Sequence, residues 1–104
     1  MNILLVEDEP TLRAGTEQFL VQRGFTVIAV ASGEEALEQF AEADAIILDI
    51  MLPGISGIEV LHRIRQASDV PVLMLTALHD EPTQIASFDE LADDYMSKPF
   101  SLVI

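Results

Sequence analysis

Short apolar runs alternate with amphipathic segments along nearly the whole chain of 104 residues. A short apolar run between turn signals is typical of a strand that is covered on both faces, whereas apolar residues at every third or fourth position are typical of a helix packed by one side. Strict alternation of the two predicts a parallel sheet with right-handed crossovers and helices on both faces. The length allows one domain with one modest core. We therefore predict a single α/β domain with a doubly wound sheet.

Five strands and four helices follow from this pattern. The strands are predicted at Asn2 to Val6, Thr26 to Val30, Ala45 to Leu48, Val70 to Leu75 and Asp94 to Met96. The helices are predicted to begin, in chain order, at Pro10 or Thr11, after the cap Ser32, after the cap Ser56, and at Asp80 or Glu81. The apolar residues 102–104 indicate the beginning of one more segment.

The composition excludes several classes of function. With 18 acidic and 5 basic residues the net charge is -13, so most of the surface would repel a phosphate backbone, and this chain is not expected to bind nucleic acid itself. No apolar run approaches the ~18 to 20 residues that cross a bilayer, and the first residues lack the basic region of a secretory signal. Zero cysteines exclude disulfides and thiolate metal sites, which fits a cytoplasmic protein.

Charged side chains stand at the ends of three of the predicted strands. Glu7 and Asp8 follow the first strand, Asp49 follows the third and Lys98 follows the fifth. Because the carboxyl ends of parallel strands meet at one edge of a sheet, we expect a single acidic pocket with one fixed positive charge. If Asp8 and Asp49 stand ~4 Å apart, their repulsion is roughly 4 kcal/mol at an effective dielectric of about 20, which favours protonation or a bound cation. Such a pocket suits a divalent cation and a phosphoryl group.

Several motifs span the chain in order. They are Val6 to Glu9, Leu48 to Gly54, Ser56-Gly57, Leu75 to Ala77, and Ala92 to Tyr95 with Lys98 to Phe100. Together, at these spacings, they resemble the receiver domain of bacterial two-component response regulators, and the resemblance covers nearly all of the chain. It implies the flavodoxin-like strand order 2-1-3-4-5, in which strands 1 and 3 are neighbours and bring Glu7, Asp8 and Asp49 together.

The resemblance also implies the contents of the pocket. The cation would be Mg²⁺, which prefers oxygen ligands and retains several waters. Asp8 and Asp49 would bind it directly, Glu7 often through water, and Met51 through its backbone carbonyl. Asp49 would be the nucleophile that accepts a phosphoryl group from the phosphohistidine of a sensor histidine kinase.

Three more residues take roles from the same resemblance. Lys98 would neutralise one phosphoryl oxygen, and the Thr76 hydroxyl would donate to another. Tyr95 would then turn inward and repack the surface of helix four and strand five that partners contact. The implied function is a phosphorylation-controlled signalling switch that assists its own phosphorylation and dephosphorylation without being an enzyme. Ordinary structural roles remain open, with Lys98 at the surface, Thr76 as a strand former and Tyr95 as a half-buried aromatic residue.

The sequence departs from the family in three places. Glu7 stands where many members have aspartate, and Leu91 stands where the family usually has glycine. The usual fifth helix is missing, so we expect residues 1–104 to be a receiver domain truncated before its last helix, with a DNA-binding output domain that controls transcription absent from this chain. The first helix alone would then cover one sheet face, leaving an apolar patch that favours self-association or exchange between chains.

Three other functions remain open. The first is a non-phosphorylated interaction module of the same fold, although the set of Asp8, Asp49, Thr76 and Lys98 disfavours it. The second is an aspartate-nucleophile phosphatase, but such enzymes carry a second aspartate two residues after the nucleophile, where this chain has Met51. The third is flavin binding, which needs an aromatic and hydroxyl-rich phosphate loop that the sequence lacks.

Overall fold

The computed structural model of the chain describes residues 1–50, 52–77 and 94–98, with residues 76, 77 and 94–98 described by their backbone. The strands are β1 (Asn2–Val6), β2 (Thr26–Val30), β3 (Ala45–Asp49), β4 (Val72–Ala77) and β5 (Asp94–Lys98). The helices are α1 (Pro10–Gln22), α2 (Gly33–Gln39), which continues into a 3-10 turn at Phe40–Glu42, and α3 (Gly57–Arg65).

The strands form one parallel sheet in the order β2-β1-β3-β4-β5. This order confirms the predicted fold class, with β1 and β3 as neighbours near the middle. The fourth helix predicted from Asp80 or Glu81 lies outside the described residues. The predicted absence of a fifth helix concerns residues after Lys98, which also lie outside them.

One strand begins later than predicted. The prediction placed the start of the fourth strand at Val70, but β4 begins at Val72. The Val70 amide donates to the Ser68 hydroxyl at 3.0 Å, and Pro71 has no amide hydrogen to donate. The Pro71 carbonyl still accepts from the Ile46 amide at 2.9 Å, so the chain is aligned with β3 before the strand itself begins.

The two faces of the sheet are covered by different helices. Alternate residues of β1, β3 and β4 enter the main core, where they pack with residues of α2 and α3. The buried members from these elements are Leu4, Val6, Ala36, Ile46, Leu48, Val60, Leu61, Ile64, Val72 and Met74. The intervening residues Ile3 and Leu5 point to the opposite face, where α1 packs on β1 and β2 through buried residues that include Leu20.

An apolar groove lies at the amino ends of β1, β3 and β4. It encloses about 230 Å³, and its lining includes Ile3, Ala45, Ile47, Pro71 and Leu73. The register places Ile3 beside Ala45 and Ile47 beside Leu73, so these side chains share the sheet face on which α1 packs. Within the described ranges, none of the helices is both long and apolar enough to cross a bilayer.

Candidate functional site

Two adjacent strands bring the predicted acidic residues to one edge of the sheet. Glu7 and Asp8 follow β1 directly, and Asp49 is the last residue of β3. The register pairs Val6 with Leu48, so Glu7 and Asp49 are the next residues at the same level. The Glu7 amide also donates to the Val30 carbonyl at 3.1 Å, which holds this end of β1 against β2.

The three carboxylates form one compact cluster. One carboxylate oxygen from each of Glu7, Asp8 and Asp49 lies within 4.8 Å of the other two. Glu7 is 0% and Asp49 2% exposed, whereas Asp8 lies at the surface. At this separation two unit charges repel by roughly 3 to 4 kcal/mol at an effective dielectric of about 20, and a divalent cation would remove that repulsion. The cluster therefore has the donor atoms and the charge to bind a hard metal ion.

The loop that follows Asp49 returns to pack against it. Ser56 caps α3 by accepting from the Glu59 amide at 3.3 Å, and the next residue is Gly57. The Gly57 amide donates to the Ile50 carbonyl at 2.9 Å, and a Cβ atom at Gly57 would lie 2.8 Å from the Ile50 Cα and closer still to the Asp49 carbonyl oxygen. Glycine is thus required here, because α3 begins in direct contact with the backbone of Asp49.

The first turn of α1 contacts the backbone that carries Glu7 and Asp8. Arg13 Nη1 donates to the carbonyl oxygens of Glu7 at 3.0 Å and Asp8 at 3.4 Å. The sequence reasoning missed Arg13, because these acceptors are backbone atoms that no motif reveals. The only available signal was a basic residue one turn into the helix that follows the acidic pair.

The other predicted site residues either are described by their backbone alone or lie outside the described residues. Thr76 comes directly after Leu75, the register partner of Asp49, and Lys98 is the last residue of β5, paired with Ala77. Asp49, Thr76 and Lys98 therefore occupy the carboxyl ends of three adjacent strands. The roles of their side chains stay predictions.

Tyr95 and Met51 complete the predicted set. Tyr95 is the second residue of β5 and pairs with Met74, three residues before Lys98, so its strand position is described but its predicted switching role stays a prediction. Met51, the predicted carbonyl ligand, lies outside the described residues.

A family model for the response regulator receiver domain matches residues 3–103. The chain belongs to this family. Receiver domains of this kind are signalling parts of two-component systems. Response regulator RR06 of Streptococcus pneumoniae is 47% identical over 106 residues, which cover 100% of this chain and 49% of the relative. The transcriptional regulatory protein TcrA of Mycobacterium tuberculosis is 47% identical over 105 residues, covering 98% of this chain and 42% of the relative.

Solved structures agree with this assignment. A response regulator from Chloroflexus aurantiacus has a TM-score of 0.87 at 42% identity, with 97% of this chain and 87% of that chain covered. The response regulator TrrA of Thermotoga maritima has a TM-score of 0.84 at 38% identity, with 96% and 88% covered. Several relatives are named transcriptional regulatory proteins. The chain spans about half the length, or less, of the curated relatives that it matches.

Proposed function

We propose that this chain is a phosphorylation-controlled switch in which Asp49 accepts a phosphoryl group from the phosphohistidine of a sensor histidine kinase in a Mg²⁺-dependent reaction. The supporting observation is the cluster itself, a buried aspartate at a strand end with two further carboxylates whose oxygens lie within 4.8 Å. A phosphoryl acceptor needs a fixed nucleophile and neutralisation of charge more than it needs covalent machinery.

The proposed step is a substitution at phosphorus. A carboxylate oxygen of Asp49 forms a P–O bond while the P–N bond to the kinase imidazole breaks, and the imidazole nitrogen keeps the electron pair and takes up a proton. Glu7 and Asp8, with Asp49, would hold Mg²⁺, which when bound neutralises charge on the phosphoryl oxygens. The β3 strand and the start of α3 fix the Asp49 backbone, so the nucleophile is oriented before the phosphoryl donor arrives.

Other residues complete the proposal. Lys98 would neutralise a phosphoryl oxygen, Thr76 would donate its hydroxyl to another, and the carbonyl of Met51 would be a metal ligand. The similar protein TrrA of Thermotoga maritima forms a complex with Mg(2+)-BeF, which supports Mg²⁺ as the cation for this chain. Water attack on the acyl phosphate would later restore Asp49, so the chain assists its own modification and its reversal.

The proposed output is a change in the surface of the fourth helix and β5, with Thr76 and Tyr95 as the moving residues. Converting a 1:99 equilibrium to 99:1 needs a differential of about 5.5 kcal/mol, and a phosphoryl dianion that gains a lysine, a hydroxyl and a metal ion is a source of that size. The names of the relatives support transcription as the regulated process. DNA would be bound by an output domain outside these residues, and a cytoplasmic location away from the membrane stays a prediction.

We also propose self-association through the apolar groove at the amino ends of β1, β3 and β4. Its supporting observation is a set of apolar side chains, including Ile47 and Leu73, that remain partly exposed on a sheet face. Apolar surface of this kind is usually covered by a partner or by another part of the chain.

Phosphorylation is tested by incubating the chain with acetyl phosphate or phosphoramidate and Mg²⁺, followed by intact mass spectrometry. We expect one phosphate adduct in the wild type, none in Asp49→Asn, and one in Asp69→Asn, a control that removes the same charge at an exposed position. A wild type that gains no adduct, both as this chain and in a longer version with a following helix, would favour the non-phosphorylated interaction module. Multiple turnover of a generic phosphoester would favour the phosphatase.

A further inference from the structure

We infer that Arg13 is a positioning residue for the acidic cluster: its guanidinium holds the backbone of Glu7 and Asp8 in the conformation that binds a divalent cation. The inference rests on the proposed function, because it concerns the same cation site. It assigns part of the site to α1, a helix that carries none of the proposed ligands.

The backbone that carries the two carboxylates needs support from outside the sheet. β1 ends at Val6, and pairing with β2 continues one residue further through the Glu7 amide and the Val30 carbonyl. The carbonyls of Glu7 and Asp8 instead accept from Arg13 Nη1, at 3.0 and 3.4 Å. One nitrogen of a planar guanidinium thus contacts both carbonyls of the residues that carry the acids, which restricts the turn between β1 and α1.

Further hydrogen bonds tie the same turn to α1. The Glu9 amide donates to Oε2 of Glu7 at 3.2 Å, and the Glu9 carboxylate caps α1 by accepting from the amides of Thr11 and Leu12 at 3.2 and 2.6 Å. The Arg13 amide donates to the Glu9 carbonyl at 2.9 Å. The backbone of Arg13 is therefore fixed by the same turn whose carbonyls its side chain contacts, and both sets of contacts are made without any ligand.

The charge of Arg13 acts in two opposite ways. A cation bound to the backbone of Glu7 and Asp8 reduces the mutual repulsion of ionised carboxylates in the metal-free chain, but it also repels an incoming metal ion. Within the described ranges Arg13 donates to carbonyl oxygens, whereas Arg63 is ion-paired with Glu59 at 3.0 Å. Because Arg13 contacts the backbone that carries the ligands, we expect loss of positioning to outweigh the relief of repulsion.

The test compares Arg13→Gln with Arg23→Gln in the 104-residue chain. Arg23 lies just after α1 with its guanidinium over the Phe19 ring, so its replacement removes the same charge from the far end of the same helix. Mg²⁺ is titrated while the amide resonances of Asp8 and Asp49 are followed by NMR. We expect about tenfold weaker Mg²⁺ binding in Arg13→Gln, near the low end of the usual cost of removing a residue that orients a metal ligand.

Three further measurements separate positioning from simple folding. At saturating Mg²⁺ the rate of phosphorylation by phosphoramidate should approach that of the wild type, because only the Mg²⁺ concentration needed has changed. Arg13→Lys should recover part of the affinity, since an ammonium keeps the charge and can donate to a carbonyl, but lacks the planar fork. Thermal unfolding of each variant without Mg²⁺ reports any loss of fold separately.

The outcomes are distinct. Equal Mg²⁺ affinity in Arg13→Gln and Arg23→Gln would overturn the inference, and so would tighter binding in Arg13→Gln, because charge alone would then explain its effect. In both cases a wild type that binds Mg²⁺ and gains phosphate leaves the proposed function intact. A wild type with no Mg²⁺ response and no adduct would overturn both.

Discussion

The two ends of β1 and β3 have opposite character. At their carboxyl ends the strands present the acidic residues Glu7 and Asp49, which are buried and have carboxylate oxygens within 4.8 Å of one from the exposed Asp8. At their amino ends the same strands line an apolar groove through Ile3 and Ile47. One pair of strands therefore carries a cluster of carboxylates at one end and, at Ala45 and Ile47, partly exposed apolar side chains toward the other.

The difference shows how the fold separates stability from function. The carboxyl end is held by α1 through Arg13 and by α3 through Gly57, although its carboxylates repel one another when they are ionised. The amino end has no such repulsion, since covering the apolar side chains there lowers the free energy of the protein in water. At the carboxyl end, carboxylates that repel one another are attached to a fixed backbone, so we expect this end to bind a cation or accept a phosphoryl group. At the amino end, we expect the groove to bind a partner that covers its apolar side chains.

The largest effect is expected for Gly57→Ala, which tests how firmly the carboxyl end is held. The added methyl group would meet the Asp49 carbonyl and lie 2.8 Å from the Ile50 Cα, so backbone must move. We expect the free energy of unfolding to fall by about 3 kcal/mol or more, at the upper end for overpacking. Urea unfolding followed by circular dichroism measures it.

Gly24→Ala is the matched control for that change. Gly24 has a φ of 97° and nothing within 4 Å of an added Cβ, so its cost comes from backbone conformation alone, about 1 to 2 kcal/mol. If Gly57→Ala cost no more than Gly24→Ala, the close contact between α3 and the Asp49 backbone would not be restrictive. The distinction between the two ends of β3 would then rest on charge alone.

An intermediate effect is expected for Asp8→Asn, which removes one charge from the cluster and leaves its shape. Without Mg²⁺ the variant should be more stable, because the repulsion between Asp8 and the other two carboxylates is removed. The gain should be at most about 1 kcal/mol, because Asp8 is exposed and solvent screens that repulsion. The rise in unfolding temperature on adding Mg²⁺ should be much smaller than in the wild type, as measured by differential scanning calorimetry.

Salt provides the check on this explanation. Screening weakens interactions between exposed charges, so the metal-free advantage of Asp8→Asn should shrink as NaCl is raised. Glu38→Gln, an exposed change on α2, serves as the control for a charge outside the cluster. An equal Mg²⁺ response in wild type and Asp8→Asn would contradict a cation site that includes Asp8.

The sequence predicted the acidic end well because its position follows from topology. Once strands and helices alternate, parallel strands must end at one edge, and residues such as Asp8 and Asp49 must lie at that edge. The first two strands were predicted with the bounds that the structure has. The resemblance supplied the strand order that made β1 and β3 neighbours.

What the sequence did not predict depends on individual backbone groups. The start of β4 shifted because the Ser68 hydroxyl accepts the Val70 amide hydrogen and Pro71 has none to give. The contacts of Arg13 were missed because carbonyl directions in a turn depend on its dihedral angles, which no side-chain pattern records. The need for Gly57 arises from a close approach between segments, visible only in three dimensions.

The smallest effect on the fold is expected at the amino end, where Pro71→Glu tests the groove. Pro71 is exposed at its edge, so a glutamate should leave stability nearly unchanged while placing a charge where apolar surfaces would meet. Sedimentation velocity over a concentration series should show self-association of the wild type that is weakened in Pro71→Glu and retained in Val21→Glu, where an equal charge enters an exposed position on α1. A monomeric wild type at every concentration would contradict self-association through the groove. Equal weakening in both variants would instead attribute the weakening to the added negative charge, since a chain at -13 already repels its copies.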